Sequence, residues 1–554
     1  MYQHLIPVIN LFCTNIIIII SIYSAGYFFL NQFQVKKFFG LILINGVIIT
    51  SILSLFINFF LPIDYKISLI IIFILFIYFL KLNKYKADLL KIIIISFLSI
   101  FFYYAGNNAE DFSIYHLINI QAIIENKIIL GLIKIKLNLG QSPISFYGDA
   151  IFQSLPFIKT IINYMSFITF VGLISFLIEI IKSKKHYYFS EYFLIISTLY
   201  VVLKFSRLGS HGADLISLVL ILCGIYFFLN INLKKINQED NFNNIFYTLT
   251  FISSAIFFKI FSITYYLLFF LILFFLIKRK QIKKYYKLIF TIITFNLFFL
   301  LKNFLISGCL IFPIQETCFN NFLWSSDNYT IYNWKLINEA WSKGWYDHFS
   351  KNYYEYIKNL YWLNTWFNNH FIKSLEKFFI PIILIIILIK KLKRETIYRN
   401  NINFNIIIVF FVSFLSVTLW FFNSPLTRLG LIGLIPFIIL ILNFKFLRNF
   451  KFTLSTNTIS FIIILIPIFF LTKNTYRIYN TSSDYENFPY PRINKNEIKN
   501  VDNKKVKVKQ ENGIKFYIYD KEKCFTIKFP CLPKYKEKKF LFLKKYNYII
   551  LKNL

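Results

Sequence analysis

Apolar residues in this chain come in long unbroken stretches. They show neither the alternation of a half-buried strand nor the single stripe of a surface helix. Ile67–Leu80, Ile406–Phe422 and Ile459–Leu471 are examples, and similar runs recur along most of the 554 residues. Helices that are apolar on every side belong in a large core or in lipid, and a bilayer crossing takes roughly 20 such residues. The pattern predicts an all-α polytopic membrane domain of about 14 transmembrane helices over residues 1–475. The spans are expected at 5–30, 38–61, 67–80, 89–105, 157–181, 189–205, 212–232, 245–258, 261–277, 288–305, 377–392, 404–422, 429–447 and 456–473. The tight pair within 245–277 is read as two spans, because a single span there would invert every later assignment.

The polar positions between the runs set an orientation. Taken alternately, one set of links holds Lys36 and Lys37, the clusters at 81–86, 182–185, 234–235, 278–284 and 390–394, and Lys445, Arg448 and Lys451. The short links of the other set hold only Lys66, Lys204, Arg207, Lys259 and Arg428. Twenty-two basic residues against five place the first set in the cytoplasm by the positive-inside rule. Both termini and two long loops, at 106–156 and 306–376, are then expected outside, in a multi-pass protein of a bacterial inner (plasma) membrane.

Composition agrees, with 57% hydrophobic and 16% charged residues and a mean hydropathy of +0.58. The formal charge of +35 does not call for a nucleic-acid partner, since span-flanking clusters explain much of it. No signal peptide is apparent, because the first apolar stretch is too long and lacks a basic start. Past the last span the pattern changes. A polar linker, Asn474–Asn503, leads to patterned runs at Gly513–Asp520, Cys524–Phe529 and Phe540–Leu551. These predict a small C-terminal non-cytoplasmic β-containing domain within 476–554. Two close cysteine pairs on the expected outer side, Cys309 with Cys318 and Cys524 with Cys531, predict two disulfides. Cys13 and Cys223 fall in spans as packing residues.

Chemistry is expected first in the long loop that opens Ala105-Gly106-Asn107-Asn108-Ala109-Glu110-Asp111-Phe112-Ser113-Ile114-Tyr115-His116. Adjacent carboxylates cannot share a helical face, so one is expected to be functional and the other supporting. On a helix from Asp111, Tyr115 shares its face and His116 lies close. The plain structural alternative makes Asp111 a helix cap and Glu110 a solvated residue. The second loop carries Trp324, Trp334, Trp341, Trp345, Trp362 and Trp366. Tyr332–Lys377 reads as helical there, and interfacial anchoring is favoured over sugar stacking. No Walker A motif and no zinc-protease His pair occurs.

An acidic pair at the outer end of an early span, in a basic-inside polytopic chain, resembles the GT-C class of membrane glycosyltransferases. A family of uncharacterised bacterial membrane proteins is also similar in Glu110-Asp111 with Tyr115-His116, in Lys302-Asn303 with Ser307-Gly308 and Pro313, and in Phe529-Pro530-Cys531. The acidic loop here follows the fourth span, whereas in many GT-C enzymes it follows the first. The resemblance implies a polyprenyl-phosphate-linked sugar as donor, reached from the lipid bilayer, and a glycan, lipid or protein acceptor. It implies Asp111 as base with Glu110 as helper, and Tyr115 and His116 beside the substrate. Cations at the sparse outer span ends would meet the lipid phosphate: Lys204, Arg207, His211, Lys259, Lys302 and Arg428, with Arg207 and Lys259 the strongest choices. No cofactor is implied, and a divalent cation is left open. The alternatives are a polymerase or ligase of lipid-linked glycans, and a transporter or flippase.

Overall fold

The computed structural model describes residues 2–82, 85–106, 111, 115–158, 163–184, 186–205, 212–233, 240–345, 352–372, 374–375, 379, 382–383, 393–395, 404–443, 451–453, 456–480, 506–512, 514–519, 529–533, 540–545 and 548–553. Helices dominate, and every expected span except 377–392 coincides with one; that segment lies largely outside the described residues. In order they are α1 (Tyr2–Gln32), α2 (Phe39–Asn58), α3 (Tyr65–Leu80) and α4 (Tyr85–Tyr104). Two short helices of the first long loop follow, α5 (Leu117–Glu125) and α6 (Ser145–Gln153). Next come α7 (Tyr164–Ser183), α8 (Phe189–Lys204), α9 (Asp214–Leu229), α10 (Asp240–Phe258), α11 (Tyr266–Lys278) and α12 (Ile282–Ser307). The second loop holds α13 (Asn328–Ser342), α14 (Tyr353–Lys358) and α15 (Trp362–Trp366). The chain returns through α16 (Phe404–Asn423), α17 (Thr427–Leu442) and α18 (Thr456–Asn480).

Among the described residues, 7 helices are long and apolar enough to cross a membrane: most of α1 and α4, all of α2, α7, α12 and α16, and the segment Ile260–Lys278 that contains α11. Three shorter apolar helices, α3, α9 and α17, accompany them. Residues 245–277 form two helices, because α10 ends at Phe258 and the extended backbone of Lys259 precedes a 3-10 turn that leads into α11. The domain boundary expected after residue 475 falls inside α18, which continues to Asn480.

The bundle has an inside and an outside. α2, α7 and α9 are buried along nearly their whole lengths. The peripheral helices instead expose large side chains: Ile70 and Phe73 on α3, Phe270 and Phe274 on α11, Phe290 and Leu297 on α12, Phe411 and Phe414 on α16. Apolar surface on this scale is unfavourable in water and neutral in hydrocarbon. Close helix approach at the centre depends on glycine. A Cβ on Gly46 of α2 would lie 2.0 Å from the Ile22 carbonyl oxygen of α1, and one on Gly26 would lie 1.9 Å from that of Ile42. On the other flank of α2, Gly40 meets the Gly172 carbonyl of α7 at 2.2 Å by the same measure.

Contacts between links group them as the charge alternation does. On one face, the Ile63 amide of the α2–α3 link donates to Ile123 in the first long loop at 3.0 Å. The two long loops are joined there by Lys134 Nζ to the Leu323 carbonyl at 2.8 Å and Trp334 Nε1 to Asn138 Oδ1 at 3.2 Å. On the other face, the Lys36 amide reaches Asn243 Oδ1 at 2.8 Å and Lys287 Nζ the Gln32 carbonyl at 2.9 Å. Asn405, at the start of α16, donates to the Phe228 and Ile231 carbonyls past the end of α9. The first loop is a packed layer. All nine residues of α6 are buried, and Asp149 accepts the Tyr164 and Met165 amides at 3.1 and 3.2 Å, satisfying donors at the start of α7.

The β structure is small. β1 (Lys393–Glu395) pairs antiparallel with β2 (Lys451–Thr453). In the C-terminal unit, β3 (Val506–Glu511) runs antiparallel to β4 (Ile514–Tyr519), and β4 runs parallel to β5 (Cys531–Pro533). The run expected at 540–551 is a hairpin of β6 (Phe540–Lys545) and β7 (Tyr548–Asn553), while Cys524–Thr526 and the residues to 528 lie outside the described residues. Phe516 stacks on Phe542 between the two sheets, with ring centroids 4.9 Å apart. The unit docks on the loop face: Leu130 exchanges backbone bonds with Ile549 and Leu551 at 3.0 and 3.1 Å, and the Tyr548 hydroxyl donates to the Phe59 carbonyl at 2.7 Å.

Cys309 and Cys318 form a disulfide, closing a turn that follows Gly308, whose φ of 84° ends α12. Cys531 is also disulfide-bonded, while Cys524 lies outside the described residues. Cys13 and Cys223 are free. Closing the short Cys309–Cys318 loop restricts the unfolded chain, so Cys318→Ser should cost about 2–3 kcal/mol. Thermal unfolding of the purified protein, followed with and without reductant, checks this. Equal midpoints for wild type and variant would refute it.

Candidate functional site

Four charged side chains meet at the loop face. Arg428 is the second residue of α17, and its Nη1 donates to Asp111 Oδ2 at 3.0 Å across 317 positions of sequence. Lys259 directly follows α10, and its Nζ lies 2.6 Å from Asp214 Oδ1, on the first residue of α9. The two pairs form one electrostatic unit, since the charge of Arg428 also acts on Asp214. Side-chain exposure is 26% for Asp111 and 49% for Arg428, against 25% for Asp214 and 27% for Lys259. The cluster is neither sealed nor freely solvated.

Each member is placed by an identifiable local cause. α9 and α10 pack against each other, and the break at Lys259 brings its amine to the start of α9. A carboxylate there is favoured by the helix N-terminus. Arg428 is set by aromatic packing from the second loop. Trp366 Nε1 donates to the Pro425 carbonyl and Trp420 Nε1 to the Leu426 carbonyl, both at 2.8 Å. Trp362, Trp366 and Trp420 share one buried cluster, and Gly430 lets α17 lie against the Trp420 ring. Thr427 and Ser374 join hydroxyls beside it.

Tyr115 lies beside Asp111. Burial first, and the nearby Asp111 carboxylate second, raise its hydroxyl above the ordinary tyrosine range, so it stays a neutral donor. His116 is buried, with its ring 4.3 Å from Tyr115 and 5.2 Å from Phe146. It belongs to the packed first loop. Lys302 is buried on α12 and its Nζ donates to the Ser142 carbonyl, tying that helix to the first loop. Lys204 is the last residue of α8. Glu110, Arg207 and His211 lie outside the described residues.

Thus Asp111, Tyr115, Lys259 and Arg428 come together, whereas His116 and Lys302 make contacts that build the loop layer. Asp214 is the member not expected from the sequence, where its signal is a carboxylate opening a strongly apolar helix. The tryptophans divide as well. Trp324 stacks on Phe322 and donates to the Phe304 carbonyl, and Trp334 packs on Phe312. Trp341 is half-exposed and suits an interface. Among the described residues, no group of three or more His, Cys, Asp or Glu is arranged to hold a metal ion.

Residues 9–435 match the family described as Domain of unknown function (DUF8201), and the chain belongs to that family. The matched region contains all four charged residues of the cluster and both long loops, and ends before the C-terminal β unit. No curated protein and no solved structure matches the chain.

Proposed function

We propose that this family member is a GT-C-like membrane glycosyltransferase that moves a sugar from a polyprenyl-phosphate donor to an envelope glycan, lipid or protein acceptor. In this reading about 14 spans cross the membrane, the loop face and both termini lie outside the cytoplasm, and Cys524 pairs with Cys531. One observation carries it: a partly exposed carboxylate, Asp111, at the loop end of an apolar bundle, with two cations held in the same cluster.

The chemistry needs a proton acceptor and anion stabilisation. An acceptor hydroxyl attacks the anomeric carbon, and its proton passes to Asp111 as the new C–O bond forms. The bond from the anomeric carbon to the phosphate oxygen breaks, and its electron pair leaves with the lipid phosphate. Arg428 and Lys259 balance that charge through charge-assisted hydrogen bonds. Tyr115, kept protonated, can donate to a sugar oxygen. Exposed bilayer-facing helices give a lipid-borne donor lateral access.

The test is transfer of radiolabelled sugar from a panel of polyprenyl-phosphate donors in membranes expressing the wild-type chain. Wild type should exceed empty membranes for at least one donor, and Arg428→Gln should lower that rate by about 10²-fold at equal expression. If no donor gives wild-type transfer above empty membranes, the enzyme reading falls and transport becomes the reading to test.

A further inference from the structure

Both cations of the cluster are already engaged by carboxylates of the protein itself. A phosphate donor therefore meets a cradle whose anion positions are filled, and the two carboxylates differ in how firmly they are held. Asp214 opens a regular buried helix, lies 2.6 Å from Lys259, and is acted on by Arg428 as well. The N-terminus of α9 adds to its retention. Among the described residues Asp111 has one ion-pair contact, to a guanidinium that is half-exposed. An exposed pair of that kind is weak, because water and salt screen it. Arginine offers several donors in a planar fork that fits phosphate oxygens better than a single ammonium does.

We infer that Arg428 is a phosphodiester subsite that Asp111 occupies in the empty protein, so that the donor phosphate and Asp111 compete for one guanidinium. The inference rests on the glycosyltransferase reading above and adds a regulation to it. When the phosphate takes Arg428, the Asp111 oxygen that had accepted from Nη1 is released to accept from an acceptor hydroxyl. Until then it is covered. The oxygen held by Nη1 comes free for the acceptor only when the donor phosphate has taken Arg428, which favours donor binding before acceptor. Lys259 stays with Asp214 throughout and offers the phosphate its remaining N–H donors. Asp111 is thus both the proton acceptor and the internal stand-in for the phosphate, a carboxylate oxygen holding the place of a phosphate oxygen.

The test is equilibrium binding to purified full-length protein in detergent, read by intrinsic tryptophan fluorescence, with Trp366 and Trp420 packed behind the subsite. The probes are a short-chain polyprenyl phosphate, the matching polyprenol and inorganic phosphate. Wild type should prefer the polyprenyl phosphate to both others. Asp111→Asn should bind it about fivefold more tightly, because removing the competing charge removes a weak ion pair. Arg428→Gln should weaken binding by about tenfold or more, Arg428→Lys by less, and Asp111→Asn should give no gain once Arg428 is Gln. A merely structural Asp111–Arg428 tie predicts the opposite sign for Asp111→Asn, with looser binding and a lower unfolding temperature. If wild type binds the phosphate lipid selectively but Asp111→Asn binds no better, the competition is refuted and the donor reading stands. If wild type does not distinguish the phosphate lipid from the polyprenol, or binds inorganic phosphate as tightly, the lipid-phosphate reading falls and this inference with it.

Discussion

Asp111→Asn is expected to reduce sugar transfer by about 10²–10⁴-fold, the range that a positioned general base contributes, with little change in expression or thermal stability. Asparagine keeps the shape of the side chain and an oxygen that can still accept from Arg428, but it cannot take up the acceptor's proton. The magnitude of the ion pair makes the result decisive. With Asp111 26% and Arg428 49% exposed, the pair contributes at most about 1 kcal/mol to folding. A large loss of turnover therefore cannot be explained by a small loss of folded protein. Were Asp111 only a tie between the first loop and α17, transfer would fall merely in proportion to the folded fraction, and Arg428→Gln would match it on the same scale. Asp111→Glu is the companion variant: it retains the carboxylate and should recover part of the rate if proton transfer is the role.

The largest structural effect is expected at Gly46. At this position a Cβ would lie 2.0 Å from the Ile22 carbonyl oxygen and 2.7 Å from the Ile22 Cγ2 atom, so α1 and α2 touch backbone to backbone. The clash is with main chain, which cannot step aside as a flexible side chain can. Gly26 makes the reciprocal approach to Ile42 and to the Gly46 amide. α2 is also pressed by α7 at Gly40, so a shift away from α1 is resisted by a second backbone contact. Gly46→Leu should destabilise the fold by about 3 kcal/mol or more, at or above the upper end for an overpacked core. The measurement is the folded, monodisperse fraction by size-exclusion chromatography of detergent extracts. A normal peak and unfolding midpoint for Gly46→Leu would refute the close crossing. Leu297→Phe, which also adds bulk but at an exposed position, is the control expected to do little, because that side chain faces outward.

Asp214 shows why the charged cluster was only partly legible in the sequence. It stands beside the Lys204–His211 segment that drew attention for its cations, yet its meaning depends on Lys259, 45 positions later and on a different helix. In the sequence Arg428 is a cation at a sparse span end, and Asp111 an acidic residue in a loop. Neither sequence neighbourhood contains the other. The tryptophans carry the same lesson. Their clustering between 324 and 366 marked an interfacial or binding surface, but Trp362 and Trp366 are buried against Trp420 and serve to hold Arg428. Lys302 and His116 were plausible by type and place, and packing turned both inward.

Sequence alone determined the class of the protein, the positions of its long apolar helices among the described residues, the Cys309–Cys318 pair and the sorting of links into two faces. These are properties of local runs, short separations and alternation, and a bilayer imposes them residue by residue. Tertiary structure alone decided which charges meet, how the first loop becomes a buried layer under α6, and where the C-terminal hairpin adds to it. Those outcomes depend on contacts between residues hundreds of positions apart, such as Asp111 with Arg428 and Leu130 with Leu551. Such contacts are selected by the shape of the packed helices, and no local pattern along the chain records that shape.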